Sequence, residues 1–327
     1  MKKLLKIILI SAPILLTLYF AIAFVLTFLP DPTFATAPFP APATAAADFT
    51  PREFATRTGE TLFARHFPAD SDLTILLIHG VTADSTTFNR TAPLLQRISG
   101  AEVFTLDLRG HGQSTGRSGD IDYIGQYQED IADVITALRA EKPNGRLILA
   151  GHSMGGGIAL QFAQLTERPT VDGYLLFAPH LGTSAPTMPP SNPETADLVA
   201  AYTQLHLPRL IGLTMLNAVG IKALNGLDTL FFNTAAVTHT YSYRAMVNSS
   251  PTDYTAALSA VDAPLLVIVG RNDEAFVAAQ FPPVVTAYSN GEVHLIDGET
   301  HNSILHSTAA MTVIESWLKQ TQFMTQN

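Results

Sequence analysis

The stretch Leu147-Ile148-Leu149-Ala150-Gly151-His152-Ser153-Met154-Gly155-Gly156-Gly157 decides how this chain is read. Four apolar residues run into a Gly-x-Ser-x-Gly motif, and the spacing beyond it predicts a helix over 154–165. A strand that turns sharply into a helix lifts the side chain at the turn clear of the sheet, where a nucleophilic serine can be reached. The backbone at such an apex is strained and its neighbours lie close. Gly151 and Gly155 are therefore read as elbow glycines that leave the space. Ser153 also falls at a helix N-terminus, where free N–H groups favour developing negative charge. A bare motif of this kind arises by chance about 0.07 times in a chain of this composition. The strand before it and the helix after it, not the motif alone, make Ser153 the nucleophile.

An acyl-transfer serine needs donors for the oxyanion. One is expected to be the N–H of the next residue, Met154. The other is expected from the loop that ends an earlier strand. Leu76-Leu77-Ile78-His79-Gly80-Val81 fits, with Gly80 letting the backbone approach and the Val81 N–H turned inward. The general base is expected late in the chain, because an elbow serine is followed in order by its acid and its histidine. Of ten histidines, His301 follows the last predicted strand and is the best base, with His306 as the fallback. His294 sits inside that strand and is read as a core residue. His152 is excluded because adjacent elbow residues point differently, and His66, His180, His206 and His239 are read as surface or cap residues. Asp273, in the turn that ends the penultimate strand, is the acid that orients His301, ahead of its neighbour Glu274 and of Asp297.

Outside the elbow, predicted strands and helices alternate. Runs at 54–57 and 61–67 flank Thr58-Gly59-Glu60 as a hairpin. Further strands are predicted at 73–78, 102–108, 146–150, 172–177, 264–269 and 292–296, and helices at 121–140, 154–165, about 275–280 and 307–321. Alternation of this kind implies a mostly parallel sheet covered by helices on both faces. It stops between 181 and 260, which reads as a helical cap inserted between the sixth and seventh strands. The core is thus expected at 52–180 and 261–322.

Together these residues resemble the α/β-hydrolase superfamily, and within it the monoacylglycerol lipase, lysophospholipase and serine aminopeptidase-like group. The resemblance rests on His79-Gly80, Asp107-Leu108-Arg109-Gly110-His111-Gly112-Gln113-Ser114, Gly151 to Gly156, Gly270-Arg271-Asn272-Asp273 and His301. It covers about 54–319 and implies Ser153, Asp273 and His301 as a catalytic triad. The Asp-x-Arg-Gly-His-Gly-x-Ser run is read as a tight structural loop. One departure is Thr300, where the group often has glycine before the catalytic histidine. Another is the cap, which matches no substrate.

Composition limits the alternatives. The chain has 327 residues, a formal net charge of −9, 14% charged residues and no cysteine. No basic cluster lies outside the N-terminus, which argues against nucleic acid as a partner. Without cysteine there is no disulfide, thiolate metal site or cysteine nucleophile. No metal-ligand spacing or Gly-x-Gly-x-x-Gly appears, so neither a metal nor another cofactor is expected, and no obligate protein partner is evident. Lys2, Lys3 and Lys6 precede an uncharged stretch from Ile7 to Pro30. That length suits a membrane-spanning helix, placing the catalytic domain on the non-cytoplasmic side. The alternative is a secreted protein after signal cleavage near Ala45-Ala46-Ala47. Residues 1–29 are thus expected as an anchor and 30–51, rich in Pro, Ala and Thr, as an extended linker. The expected activity is hydrolysis of apolar or lipid-like carboxylic esters. A peptidase or amidase of the same fold, or a non-catalytic anchored binding protein, would carry the same fold.

Overall fold

The structure is a computed structural model that describes residues 2–41, 43–190 and 193–324. The apolar runs read from the sequence form the middle of an eight-stranded sheet. In order along the chain, its strands are β1 (Thr50–Ala55), β2 (Thr61–Phe67), β3 (Leu73–Ile78), β4 (Glu102–Leu106), β5 (Arg146–His152) and β6 (Gly173–Phe177). Three further strands, β7 (Thr203–Leu205), β8 (Asp228–Phe232) and β9 (Thr240–Ser242), lie outside this sheet, and β10 (Leu265–Gly270) and β11 (Glu292–Ile296) complete it. The spatial order is β1-β2-β4-β3-β5-β6-β10-β11. Pairing is antiparallel for β1–β2 and β2–β4 and parallel throughout the rest.

Every residue of β3, β6 and β10 is buried, as a strand covered on both faces requires. Alternate residues serve opposite faces. Leu76, Ile78, Leu147 and Leu149 join one apolar cluster, while Ile75, Leu77, Ile148 and Ala150 join the other. The helices are α1 (Lys2–Thr27), α2 (Thr91–Ser99), α3 (Gln126–Glu141), α4 (Met154–Ala163), α5 (Pro193–Tyr202), α6 (Leu207–Ala218), α7 (Tyr243–Val247), α8 (Tyr254–Ser259), α9 (Phe281–Tyr288) and α10 (Thr308–Gln320). Helices α3, α4 and α9 pack on the first face, α2 and α10 on the second. Burial of this kind stabilises by about 25 cal/mol per Å² of apolar surface.

Two helices start later than the periodicity suggested. The one expected from 121 begins at Gln126, after Gly125 with φ 109°, and Ile124, placed on its inner face, is 47% exposed. Between β10 and β11 the chain makes one turn of 3-10 helix at Ala278–Gln280 before α9 begins at Phe281, with proline in its first turn. His294, expected in the core, lies on the edge strand β11 with its side chain 42% exposed.

The insertion between β6 and β10 holds α5 to α8, but it is not the wholly helical cap expected. It also carries an antiparallel sheet, β7-β8-β9. Its strands are three to five residues long, too short to display a period. The second half of α1 packs on α6. Gly212 of α6 lets the helices meet, since a Cβ there would lie 2.5 Å from Thr27 Oγ1. Buried Arg209 caps the end of α1, its Nε donating to the Thr27 carbonyl at 2.9 Å and Nη2 to that of Leu29 at 3.1 Å. Among the described residues no helix is long and apolar enough to cross a membrane.

The stretch 30–51 is expected as an extended linker, but several of its described residues are tied down. Phe39 donates to the Asn233 carbonyl at 2.9 Å and accepts from Ala235 N at 2.8 Å. Asn89 Nδ2 donates to the Ala45 carbonyl at 2.7 Å, and the Arg65 guanidinium lies 4.1 Å over the Phe49 ring.

Candidate active site

The elbow is built as its glycines imply. Ser153 stands between β5 and α4 with φ 54° and ψ −118°, a backbone conformation that L residues rarely adopt. A Cβ at Gly151 would meet the Gly155 carbonyl carbon at 2.5 Å, and one at Gly155 would meet the Ile78 oxygen at 2.2 Å. The apex is fixed by its own backbone. Ser153 N donates to Phe177 O at 3.0 Å, and its carbonyl accepts from Gly157 N at 3.1 Å and His180 N at 2.9 Å.

Asp273 and His301 come together from the ends of β10 and β11. His301 Nδ1 lies 2.8 Å from Asp273 Oδ2, and the other carboxylate oxygen accepts the N–H groups of Ala275 and Phe276, both at 2.8 Å. The carboxylate is fully enclosed, so the pairing fixes Nδ1 as the protonated nitrogen and leaves Nε2 bare. Glu274 accepts the His301 backbone N–H at 3.0 Å, so it holds the same residue by a different atom. Thr300 keeps an ordinary φ, so no glycine is required there, and its N–H donates to Ser303 Oγ at 2.8 Å. Asp297 pairs with Arg271 on the surface, and His306 lies in the short turn before α10.

The sequence reading missed what His152 does. It is not a base, but its Nε2 donates to the His301 carbonyl at 3.0 Å, and the two rings lie 4.7 Å apart. Burial, with His301 alongside, pushes its pKa down to about 3, so it serves as a neutral donor. The elbow and His301 are thus linked directly. Ser153 Oγ makes no hydrogen bond among the described residues. His180, read as a surface or cap residue, instead stacks on Phe276 with centroids 5.5 Å apart, and Phe276 meets the His301 ring edge-on at 5.2 Å. Its buried Nε2 has no partner among the described residues.

Gly80 lies against the elbow, where a Cβ would sit 3.2 Å from Ser153 Cβ. Leu108 N donates to His79 Nε2 at 3.1 Å, so the His79 proton is on Nδ1, which donates to the Gly80 carbonyl at 2.8 Å. In a planar trans peptide the C=O and the following N–H point in opposite directions. Holding the Gly80 oxygen on His79 therefore turns the Val81 N–H the other way. Neither Val81 N nor Met154 N, the first of α4, finds a protein acceptor among the described residues. The Asp107 to Ser114 run is the structural loop expected. Asp107 accepts from Ser85 N at 2.6 Å and from Gln113 N at 2.8 Å, and Arg109 is buried on Asp130. Among the described residues no cluster of His, Cys, Asp or Glu is placed to hold a metal ion.

The chain is 26% identical over 249 residues to monoacylglycerol lipase of Mycolicibacterium smegmatis, covering 68% of this chain and 77% of that one. It is 29% identical over 159 residues to rat monoglyceride lipase, covering 46% and 49%. An uncharacterized Mycobacterium tuberculosis protein is 41% identical over 105 residues, 31% of this chain and 28% of that protein. The chain thus spans less than half the length of these last two relatives. Among solved structures, a Thermogutta terrifontis esterase superposes with a TM-score of 0.58 at 18% identity, covering 83% of this chain and 99% of that one. A bacterial membrane phospholipase A superposes with a TM-score of 0.58 at 21% identity, covering 98% and 99%. These two likenesses are of fold. The profile of the family described as serine aminopeptidase, S33, matches residues 69–306. The chain belongs to that family of α/β-hydrolases.

Proposed function

We propose that this protein hydrolyses carboxylic esters of apolar, lipid-like acyl groups through Ser153, His301 and Asp273. The observation that carries the reading is the enclosed Asp273–His301 pair at 2.8 Å, linked through His152 to a strained elbow serine. In this mechanism Ser153 Oγ attacks the ester carbonyl while His301 Nε2 takes its proton. The Val81 and Met154 N–H groups hold the oxyanion. His301 then returns the proton to the leaving alcohol, and water, activated by the same nitrogen, releases the acid from the acyl-enzyme. Asp273 keeps the imidazole in its tautomer and stabilises the imidazolium. The apolar preference is supported by the monoglyceride lipase relatives.

Ser153→Ala is expected to abolish turnover of p-nitrophenyl esters and labelling by a fluorophosphonate. Full turnover by the variant would overturn the assignment. The family's description favours one second reading, an amidase using the same residues. A preference for aminoacyl amides over acyl esters would establish it. Absence of fluorophosphonate labelling in the folded wild type would leave only a binding role.

We further propose that α1 attaches the protein to a membrane surface. The uncharged run from Ile7 to Pro30 supports this, as do the outward-facing Ile14, Leu15, Leu18 and Val25, each more than half exposed.

A further inference from the structure

We infer that Tyr241, on strand β9 of the cap, is a positioning residue that holds the oxyanion loop in register with the elbow, an inference resting on the ester-hydrolase reading. Its side chain is buried, and its hydroxyl joins two loops of the core. The oxygen accepts the N–H of Thr82 at 2.7 Å. The hydroxyl proton is directed to His111 Nε2 at 2.9 Å. The direction is fixed, because His111 Nδ1 faces the Arg109 carbonyl at 2.9 Å and must carry the ring proton. Burial, with His79 next to it, keeps His111 neutral by pushing its pKa down to about 3. The hydroxyl therefore donates once and accepts once.

Thr82 follows Val81, whose N–H is assigned to the oxyanion. It is a β-branched residue with φ 59°, in the left-handed region that such side chains avoid. Left alone, the loop would relax and turn the Val81 peptide. The loop is held on both sides of that peptide, by His79 on the Gly80 carbonyl and by Tyr241 on the Thr82 N–H. The two clamps also meet, since the His79 and His111 rings lie 5.0 Å apart. The first clamp belongs to the core; the second comes from the cap.

Tyr241 itself is well seated. Its neighbour Ser242 donates to Asp120 at 2.6 Å, and its N–H to Gly119 O at 3.0 Å. Arg244 binds the same Asp120 at 2.8 Å, and Phe232 packs edge-on to the Tyr241 ring at 6.0 Å. Loss of one hydroxyl therefore leaves β9 in place and frees only the Thr82 N–H and His111 Nε2.

The experiment is Tyr241→Phe in the full chain, with active sites counted by fluorophosphonate titration so that each rate refers to folded enzyme. Per titrated site, kcat on a short p-nitrophenyl ester is expected to fall about 10- to 100-fold, with KM moving less than about threefold. Inhibition by a trifluoromethyl ketone, which forms an oxyanion on Ser153, is expected to weaken by the factor lost in kcat/KM. A purely structural tyrosine would lower thermal stability and the titrated fraction without moving these ratios. Thr82→Gly supplies the cycle, because glycine holds φ 59° unaided. In that background the Phe change is expected to cost less than about threefold. Should Tyr241→Phe alone not fold, this double variant against Thr82→Gly makes the comparison. A wild type that cleaves no ester overturns the reading and the inference together. An active wild type with Tyr241→Phe within twofold in kcat, or equal losses in both backgrounds, overturns the inference alone.

Discussion

Asp273 and Glu274 are adjacent, both acidic, and both hold His301. Asp273 takes the ring nitrogen, Glu274 the backbone N–H. Only the first bond decides which ring nitrogen is left bare. Asp273→Asn is accordingly expected to lower kcat by about 10³- to 10⁴-fold, and Glu274→Gln by about tenfold at most. Equal losses, measured on one ester under saturating conditions, would mean that the proton's position on the ring is not set by Asp273. The sequence distinguished these two carboxylates by place in the strand-end turn. Ser153 and His301 were legible for the same reason, each lying in or just after a short motif. His152 and Tyr241 were not. Their partners lie 149, 130 and 159 residues away, and no local pattern marks a contact formed only when the sheet and cap close.

At the scale of elements, legibility followed burial. Strands β3, β6 and β10 start within one residue of where the apolar runs put them, because a strand in a covered sheet has little freedom in composition. The cap strands are too short for that signal, and α9 was displaced by a turn no periodicity announces. Helix α1 is the element whose role is most open to direct test. Its second half is occupied on one side by α6 and presents Ile14, Leu15, Leu18 and Val25 outward. Full-length protein is expected in the membrane fraction. A chain lacking residues 1–29 is expected in the soluble fraction. Full-length protein in the soluble fraction would overturn the attachment.

For the molecule as a whole, four histidines with lowered pKa make stability sensitive to acid. Burial lowers the pKa of His79, and those of His111 and His152 to about 3 and His180 to about 4. An unfolded histidine titrates near 6.5. Between about pH 6.5 and 4 the unfolded chain therefore binds protons that the folded chain refuses, and stability falls as pH falls. Each such group contributes about 1 kcal/mol per pH unit within that window. The melting temperature is expected to drop steadily from pH 7 to pH 5, above the range where Glu102, held at about 2, titrates. A flat profile would show that these rings accept protons without unfolding.

The strapping of residues 30–51 along the cap and core changes the mechanics of the chain. A loose tether transmits tension only and lets its load spin. A segment bonded at Phe39 and Ala45, continuous with a helix end clasped by Arg209, transmits torque as well. Helix α1, strap and cap are then coupled, so that a turn of α1 is passed on to the cap.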